Sequence, residues 1–189
     1  MNKQYADSIL RAKSLYANFH DVIHDWEHSQ RVANNTRLIA DSIGFTNIEF
    51  LELCALWHDS ARTQGYTDGH EEQSALLAEK DLTKHGVDEK TAERVYKAIR
   101  FHKSSAKPVT VEGKIIRDAD KLDIFTVRRW QKCSEAGWTR EYADDLRQSV
   151  AAHTKYPDAF TYDYTKEQFR LRLPAFLRYY ESVKDSLPE

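Results

Sequence analysis

The chain has 189 residues, of which 41% are hydrophobic and 31% charged, and it contains only 6 glycines and 4 prolines. This length and composition are typical of one folded domain with a buried core, and the scarcity of turn-forming residues favours helices. The formal net charge of -2 gives no strong general attraction to nucleic acid or to anionic membranes, so neither partner is expected.

The N-terminus and the two cysteines indicate where the protein works. Residues 1–19 carry scattered charges and lack the apolar centre of a secretory signal. No stretch approaches the roughly 20 apolar residues that would span a bilayer. Cys54 and Cys133 have no spacing typical of a disulfide framework or a cysteine-based zinc site. We therefore expect a cytoplasmic protein, and its oligomeric state stays open.

The first third of the chain shows the apolar spacing of helices. The first apolar stripe, over residues 3–19, consists of Tyr5, Ile9, Ala12, Tyr16 and Phe19. A second helix is predicted over residues 25–44, with His28 on its apolar face. Residues 47–57 leave almost no polar face, which indicates a central buried helix.

Loops and helices alternate in the middle of the chain. Residues 60–69 hold two glycines and are predicted to form an exposed loop. A helix is expected over about residues 70–85, and Asp88 is suited to cap the helix that follows. Residues 103–110 contain a proline and are predicted to form another loop.

The last part of the chain is predicted to be helical as well. Residues 112–136 are expected to form one long helix. Packing helices over about residues 139–187 are expected to be interrupted near Pro157 and Pro174. Because no strand, repeat or linker is evident, residues 1–189 are predicted to form a single all-α domain, a helical bundle.

Three of the eight histidines precede an aspartate, at His20, His24 and His58. Such a dipeptide is frequent by chance, so its context has to choose between them. The pair His58-Asp59 follows the apolar helix, where the burial of two ionisable groups is costly without a compensating partner. A carboxylate at a helix C-terminus is also disfavoured by the helix dipole. A bound cation explains both features.

Two further side chains are candidates for the same cation. His28 faces inward from the neighbouring helix, and Asp120 lies in residues 118–123, where three carboxylates are crowded together. The predicted metal ligands are His28, His58, Asp59 and Asp120. A set of nitrogen and oxygen donors suits one divalent transition-metal ion, Mn, Fe, Co, Ni or Zn, with Mg as a further candidate.

The order His28, His58-Asp59, Asp120 resembles the H…HD…D signature of the HD-domain superfamily of metal-dependent phosphohydrolases. Residues 24–32, HDWEHSQRV, are similar to the H-D-W-x-H-x-x-R-V segment of a bacterial subgroup, and residues 118–123, DADKLD, to its D-A-D-K-L-D segment. The resemblance covers a motif-bearing core of about residues 20–125. It implies an all-α HD-type fold, a metal ion at these ligands, and hydrolysis of a phosphate ester or anhydride by an activated water.

Four cationic side chains are candidates for binding phosphate: Arg31, Arg62, Lys103 and Lys121. For Arg31 and Arg62, an ion pair with Asp25 or a glutamate explains the position equally well. Lys121 is assigned a catalytic role because its neighbours are otherwise acidic, and Asp59 is expected to be catalytic as well as a ligand.

His70 and His102 lie between the HD pair and Asp120. They are predicted to contact substrate or to transfer protons, because histidine titrates near neutral pH. A second metal ion on this pair is considered but not favoured, since the spacing does not match known two-metal motifs. Asp123 is expected to orient a ligand, and Asp118 to face solvent.

Three functions fit these residues. The favoured one is a phosphohydrolase acting on a small phosphorylated substrate, above all a nucleotide. A di-iron oxygenase would require His70 and His102 as ligands of a second iron. A ligand-sensing module would keep the metal as a structural element. A guanosine tetraphosphate hydrolase is disfavoured, because residues 60–63, SART, lack the acidic pair that such enzymes place there.

Overall fold

The structure, a computed structural model, describes residues 2–103 and 107–189. Helices and short connections account for these residues, and no strand occurs among them. The helices are α1 (Lys3–Leu15), α2 (Trp26–Ser42), α3 (Ile48–Trp57), α4 (His70–Lys84), α5 (Glu89–Arg100), α6 (Val111–Asp123), α7 (Val127–Ala136), α8 (Arg140–Ala152), α9 (Tyr156–Ala159) and α10 (Asp163–Val183). Short 3-10 helices follow at Ser60–Gln64, His153–Lys155 and Lys184–Ser186. The predicted single-domain all-α fold is thereby confirmed.

Two apolar clusters form the core, and α6 contributes to both. The first cluster gathers side chains from α1 to α6 around α3, in which the residues from Phe50 to Trp57 are buried except Glu52. The second cluster gathers α7, α8 and α10 around Trp130 and Phe176. On α6, Ile116 belongs to the first cluster and Leu122 to the second. Asp120 therefore lies where the two clusters meet.

The predicted long helix over residues 112–136 is wrong, because the chain turns after α6 and starts α7 at Val127. The turn carries Phe125 into the second cluster, where its ring meets Phe169 edge-on at 4.6 Å between centroids. The indole Nε1–H of Trp130 donates to the carbonyl of Ile124 at 2.7 Å. This side chain therefore satisfies a carbonyl at the end of α6 that has no backbone donor of the same helix.

Pro174 does not interrupt a helix, contrary to the prediction, and lies inside α10. Arg170, whose carbonyl would have bonded to residue 174, is exposed, so water can take the place of the missing N–H donor. Phe169 and Phe176 are buried on either side and hold the helix against the second cluster. Pro157 occupies the first turn of α9, a position that proline favours.

Two shorter segments also differ from the prediction. Helix α1 ends at Leu15, so Phe19 lies beyond it. The segment 60–69 is not a fully exposed loop, because Ser60–Gln64 forms a 3-10 helix in which Ser60 and Ala61 are buried. Of the predicted loop over residues 103–110, residues 104–106 lie outside the described part. None of the described helices combines the length and apolarity needed to cross a bilayer.

Candidate metal centre

The four predicted metal ligands come from the ends of three helices. His28 lies in the first turn of α2, where the side chain of Asp25 caps the helix by accepting from the His28 backbone N–H. His58 and Asp59 directly follow α3, and Asp120 lies in the last turn of α6. Their exposed fractions are 0% for His28 and His58, 2% for Asp59 and 9% for Asp120. The packing of α2 and α6 on α3 thus gathers two imidazoles and two carboxylates in the interior.

One oxygen of each carboxylate lies within 3.8 Å of both imidazole Nε2 atoms. The Nε2 atoms of His28 and His58 are 3.2 Å apart. Oδ2 of Asp59 lies 3.6 Å from both nitrogens. Oδ1 of Asp120 lies 3.5 Å from His28 Nε2 and 3.8 Å from His58 Nε2. Donors that share an ion at about 2.1 Å are roughly 3.0 to 3.5 Å apart, so these distances are close to those of a metal centre.

Hydrogen bonds fix the orientation of both imidazoles. His58 Nδ1–H donates to the carbonyl of Ala55 at 2.7 Å, and His28 Nδ1–H donates to Asp123 Oδ2 at 2.8 Å. Each bond leaves the Nε2 lone pair directed at the carboxylates, as metal-ligating histidines require. Burial lowers the pKa of His58 to about 3, so this ring is neutral at physiological pH.

Asp123 lies behind His28 and accepts its Nδ1–H, which is the position expected of a residue that orients a ligand. Burial alone would raise the pKa of Asp123, but the hydrogen bond from His28 and the guanidinium of Arg31 hold it below its usual value. Arg31 reaches the same carboxylate through Nε at 2.8 Å and Nη2 at 3.0 Å. Its Nη1 also lies 3.2 Å from Glu27. Arg31 therefore makes an ion pair beneath the metal centre.

A cavity of about 520 Å³ opens over Asp59 and Asp120. The further predicted residues that line it are Arg62, His70, His102, Lys103 and Lys121. Arg31 is not brought to this cavity and lines a separate one with Asn35 and Arg172. Lys121 Nζ lies 2.8 Å from Asp120 Oδ2, and Lys103 is half-exposed beside Glu71.

Asp118 does not face solvent, and the expectation that it would is wrong. The residue is fully buried and accepts the backbone N–H groups of Thr161 and Tyr162 at 2.8 and 3.1 Å. These groups belong to the approach to α10, more than forty residues further along the chain. Asp118 thus fastens α10 to α6 and takes no part in the cavity.

Arg129 lines the cavity without having been predicted. Its guanidinium is buried, with Nη1 at 3.3 Å from Asp123 Oδ2 and donating to the carbonyl of Ile23, while its Nε makes no hydrogen bond. The residue lies in α7, in a segment without any recognisable motif. Its sequence neighbours are Arg128 and Trp130, and this pattern is equally typical of a surface arginine.

The C-terminal helices form the far wall of the cavity. Asp145, Gln148 and Ser149 from α8 line it together with Tyr156. Burial raises the pKa of Asp145. His24, from the segment 24–32, also reaches the cavity, and burial lowers its pKa to about 4. The C-terminal helices therefore shape the space above the centre.

Solved structures of similar fold cover nearly the whole chain. A predicted HD superfamily hydrolase from an uncultured Thermotogales bacterium is 23% identical with a TM-score of 0.66, over 96% of this chain and 91% of that one. YpgQ from Bacillus subtilis, solved in complex with ADP, is 22% identical with a TM-score of 0.68, over 98% and 96%. A Lactobacillus plantarum protein reaches a TM-score of 0.70 at 18% identity, over 98% and 97%. At these identities the likeness shows the fold alone.

The family comparison adds sequence evidence to the likeness of fold. No curated protein matches the chain. The family model described as HD domain matches residues 25–124, which is more than half of the chain and spans all four predicted ligands. The chain therefore belongs to the HD-domain superfamily.

Proposed function

We propose that this protein is a metal-dependent phosphohydrolase that binds one divalent transition-metal ion at His28, His58, Asp59 and Asp120. The observation that carries the proposal is the convergence of four buried donor atoms, all within 3.8 Å of His28 Nε2 or His58 Nε2. Membership of the HD-domain superfamily supports it independently. The substrate we propose is a small phosphorylated molecule, specifically a nucleotide.

The residues present fit a metal ion chemically. The ring of His58 is neutral, and Asp59 Oδ2 and Asp120 Oδ1 face the two imidazoles. Arg62 and Lys121 pair with the other oxygen of each carboxylate. Burial alone would raise the pKa of Asp120, yet Lys121 and the neighbouring imidazoles keep it well below its usual value, so an anionic oxygen is available. An ion held by these donors would polarise a phosphoryl oxygen and lower the pKa of a bound water.

The cations of the cavity suit a phosphate group. Arg62, Lys103, Lys121 and Arg129 outnumber the three carboxylates that line the same space, Asp59, Asp120 and Asp145. A divalent ion would make the cavity more positive still. Charge-assisted hydrogen bonds to phosphate are the strongest that such side chains make. We assign Lys121, Arg62 and Lys103 to phosphate binding, with Lys121 nearest the metal ligands.

His70 and His102 are assigned to proton transfer or substrate contact. His70 Nδ1–H donates to the carbonyl of Thr67 at 2.9 Å, and His102 Nδ1–H donates to that of Ile99 at 2.7 Å. Their Nε2 atoms are therefore acceptors on the cavity side of Asp59. A neutral imidazole so placed can take a proton from an attacking water or return one to a leaving group.

The far wall of the cavity supports a nucleotide as substrate. Tyr156 lines this wall with an aromatic side chain, and Asp145, Gln148 and Ser149 line it with polar groups. Apolar and aromatic surface with a few polar groups is typical of sites that bind the organic part of a ligand. YpgQ, which shares the fold, was solved in complex with ADP.

The test is the release of phosphate or pyrophosphate from a panel of nucleotides with Mn, Co, Ni or Mg. We expect turnover that requires the metal and is lost in His58→Ala. His85→Ala is the matched control, because His85 is exposed and bonded to its own helix, and it should retain activity. Turnover that persists in His58→Ala, or no turnover with any of these metals, would contradict the proposal.

The second candidate is the di-iron oxygenase. The observation that favours it is the approach of His70 Nε2 and His102 Nε2 to Asp59 Oδ1, at 3.2 and 3.6 Å. Protein purified without added metal would then contain two irons per chain. One exchangeable divalent ion per chain would instead support the hydrolase.

A further inference from the structure

Asp59 directs its two carboxylate oxygens to different groups. Oδ2 faces the nitrogens of His28 and His58 at 3.6 Å. Oδ1 faces away from them and makes no hydrogen bond of acceptable geometry, although it is buried. The centre therefore has a second side, defined by Oδ1 and the groups around it.

Two imidazole lone pairs point at that second side. In the neutral tautomer that donates Nδ1–H to a backbone carbonyl, His70 and His102 each present an Nε2 lone pair. These nitrogens lie 3.2 and 3.6 Å from Asp59 Oδ1. An anionic oxygen and two lone pairs repel one another in a buried site unless a cation lies among them.

The guanidinium of Arg62 supplies that cation. Its Nε lies 3.2 Å from Asp59 Oδ1, and its Nη2 donates to His70 Nε2 at 3.1 Å. The position is fixed locally, because the Arg62 backbone N–H donates to the carbonyl of Asp59 at 3.0 Å within the 3-10 helix. The neighbouring Ala61 N–H is held by Ser74 Oγ at 3.0 Å. The side chain is only 19% exposed.

We infer that the Arg62 guanidinium fills the place of a second metal ion and limits the centre to one. The inference rests on the proposed function, since it takes the first ion as bound by His28, His58, Asp59 and Asp120. Arg62 forms an ion pair with Asp59 Oδ1 and donates a hydrogen bond to His70 Nε2, so it engages two of the three donors that a second ion would use. It keeps a positive charge beside the first ion without adding an open coordination position.

Metal stoichiometry tests the inference without any activity measurement. Each variant is loaded with Mn²⁺, freed of excess metal by gel filtration, and analysed by elemental mass spectrometry. We expect one ion per chain in the wild type and two in Arg62→Ala. The double variant Arg62→Ala with His70→Ala should return to one, because a donor of the second position is gone. Arg62→Lys, which keeps the charge, should also hold one ion.

Lys103→Ala is the matched control for charge alone. It removes a cation from the same cavity, but Lys103 is paired with Glu71 and not with Asp59. We expect it to hold one ion. Electron paramagnetic resonance adds a second readout, since a second Mn²⁺ bridged by Asp59 would give an exchange-coupled spectrum. If Arg62→Ala does not fold, Arg62→Gln keeps most of the side-chain length without the charge and should hold two ions.

The outcomes separate this inference from the proposed function. Two ions in the wild type, or one ion in both neutral Arg62 variants, would overturn the inference and leave the first metal site intact. Two ions in Lys103→Ala would show that bulk charge and not the position of Arg62 sets the number. A wild type without any bound ion would overturn the proposed function together with the inference.

Discussion

The substitution Asp123→Asn tests whether the hydrogen bond between Asp123 and His28 supports metal binding. The carboxylate of Asp123 accepts from His28 Nδ1 at 2.8 Å and from Arg31 at 2.8 and 3.0 Å, and Arg129 Nη1 lies 3.3 Å away. Asparagine keeps the shape but replaces one acceptor oxygen by an amide donor. In either orientation of the amide, one of these donors would then face another donor inside the protein.

The expected effects follow from the burial of these groups. Removing one partner of a buried ion pair costs about 3 to 5 kcal/mol. We expect the lower end, because Arg31 is 17% exposed and can be partly rehydrated. At roughly 2 to 4 °C per kcal/mol for a chain of this size, the melting temperature should fall by about 6 to 12 °C. The loss of the partner that orients His28 should also weaken metal binding by about 10- to 100-fold.

Calorimetric titration with Mn²⁺ and thermal denaturation measure the two effects. Asp118→Asn is the control on the same helix, because Asp118 is equally buried but bonds to the backbone of Thr161 and Tyr162. It should lower stability and leave the affinity for Mn²⁺ unchanged. Equal metal affinity in wild type and Asp123→Asn would refute the role assigned to this hydrogen bond.

Four further predictions concern the metal ion and the cavity. Burial alone would lower the pKa of His28, but Asp120 and Asp123 raise it, so a proton competes with the metal for this ring. The affinity for Mn²⁺, measured by competition with a chelator, should therefore fall as the pH drops through the raised pKa. An affinity that does not depend on pH would contradict the assignment of His28 as a ligand. The same raised pKa stabilises the metal-free fold below the unfolded value of about 6.5, and denaturation at several pH values should show that contribution being lost as the pH rises through the folded pKa. Mn²⁺ at about 100 times its dissociation constant should stabilise the wild type by about 2.7 kcal/mol, seen as a higher melting temperature that His58→Ala does not show. Lys121→Ala should reduce kcat/KM by about 10- to 100-fold, because a charge-assisted contact to the phosphate is lost. An unchanged kcat/KM in steady-state kinetics would contradict the assignment of Lys121 to phosphate binding.

The helices could be predicted where their ends carry local signals. Asp25 and Asp88 cap α2 and α5 by accepting backbone N–H groups, as their side chains suggest in sequence. Gly44 and Gly86 adopt positive φ values of 69° and 78° just beyond α2 and α4, which side chains disfavour and glycine allows. The turn at 124–126 has no such signal. It forms because Phe125 packs into a core built by helices that come later in the chain.

The candidate site, like the helices, could be predicted from the sequence only in part. His28, His58, Asp59 and Asp120 could be proposed together because each lies in a short motif, and in the structure an oxygen of each carboxylate lies within 3.8 Å of both imidazole Nε2 atoms. The partners of the supporting residues are set by tertiary packing. Asp118 is buried by the approach to α10, more than forty residues away, and its neighbours in sequence do not reveal this.

Arg31 and Arg129 show most clearly which roles the sequence alone does not predict. Both are arginines on helices with charged neighbours, and either could be assigned to phosphate or to an ion pair on sequence alone. The crossing of α2 and α6 places Arg31 under Asp123. The turn before α7 places Arg129 at the cavity. The difference between the two roles lies in helix packing and not in the residues themselves.

Anomalous X-ray diffraction from crystals loaded with Mn²⁺ would locate the ion itself. We expect a single anomalous peak at about 2.0 to 2.3 Å from His28 Nε2, His58 Nε2, Asp59 Oδ2 and Asp120 Oδ1. A peak bound by other residues, or no peak at these four donors under conditions that saturate the protein, would contradict the proposed metal site.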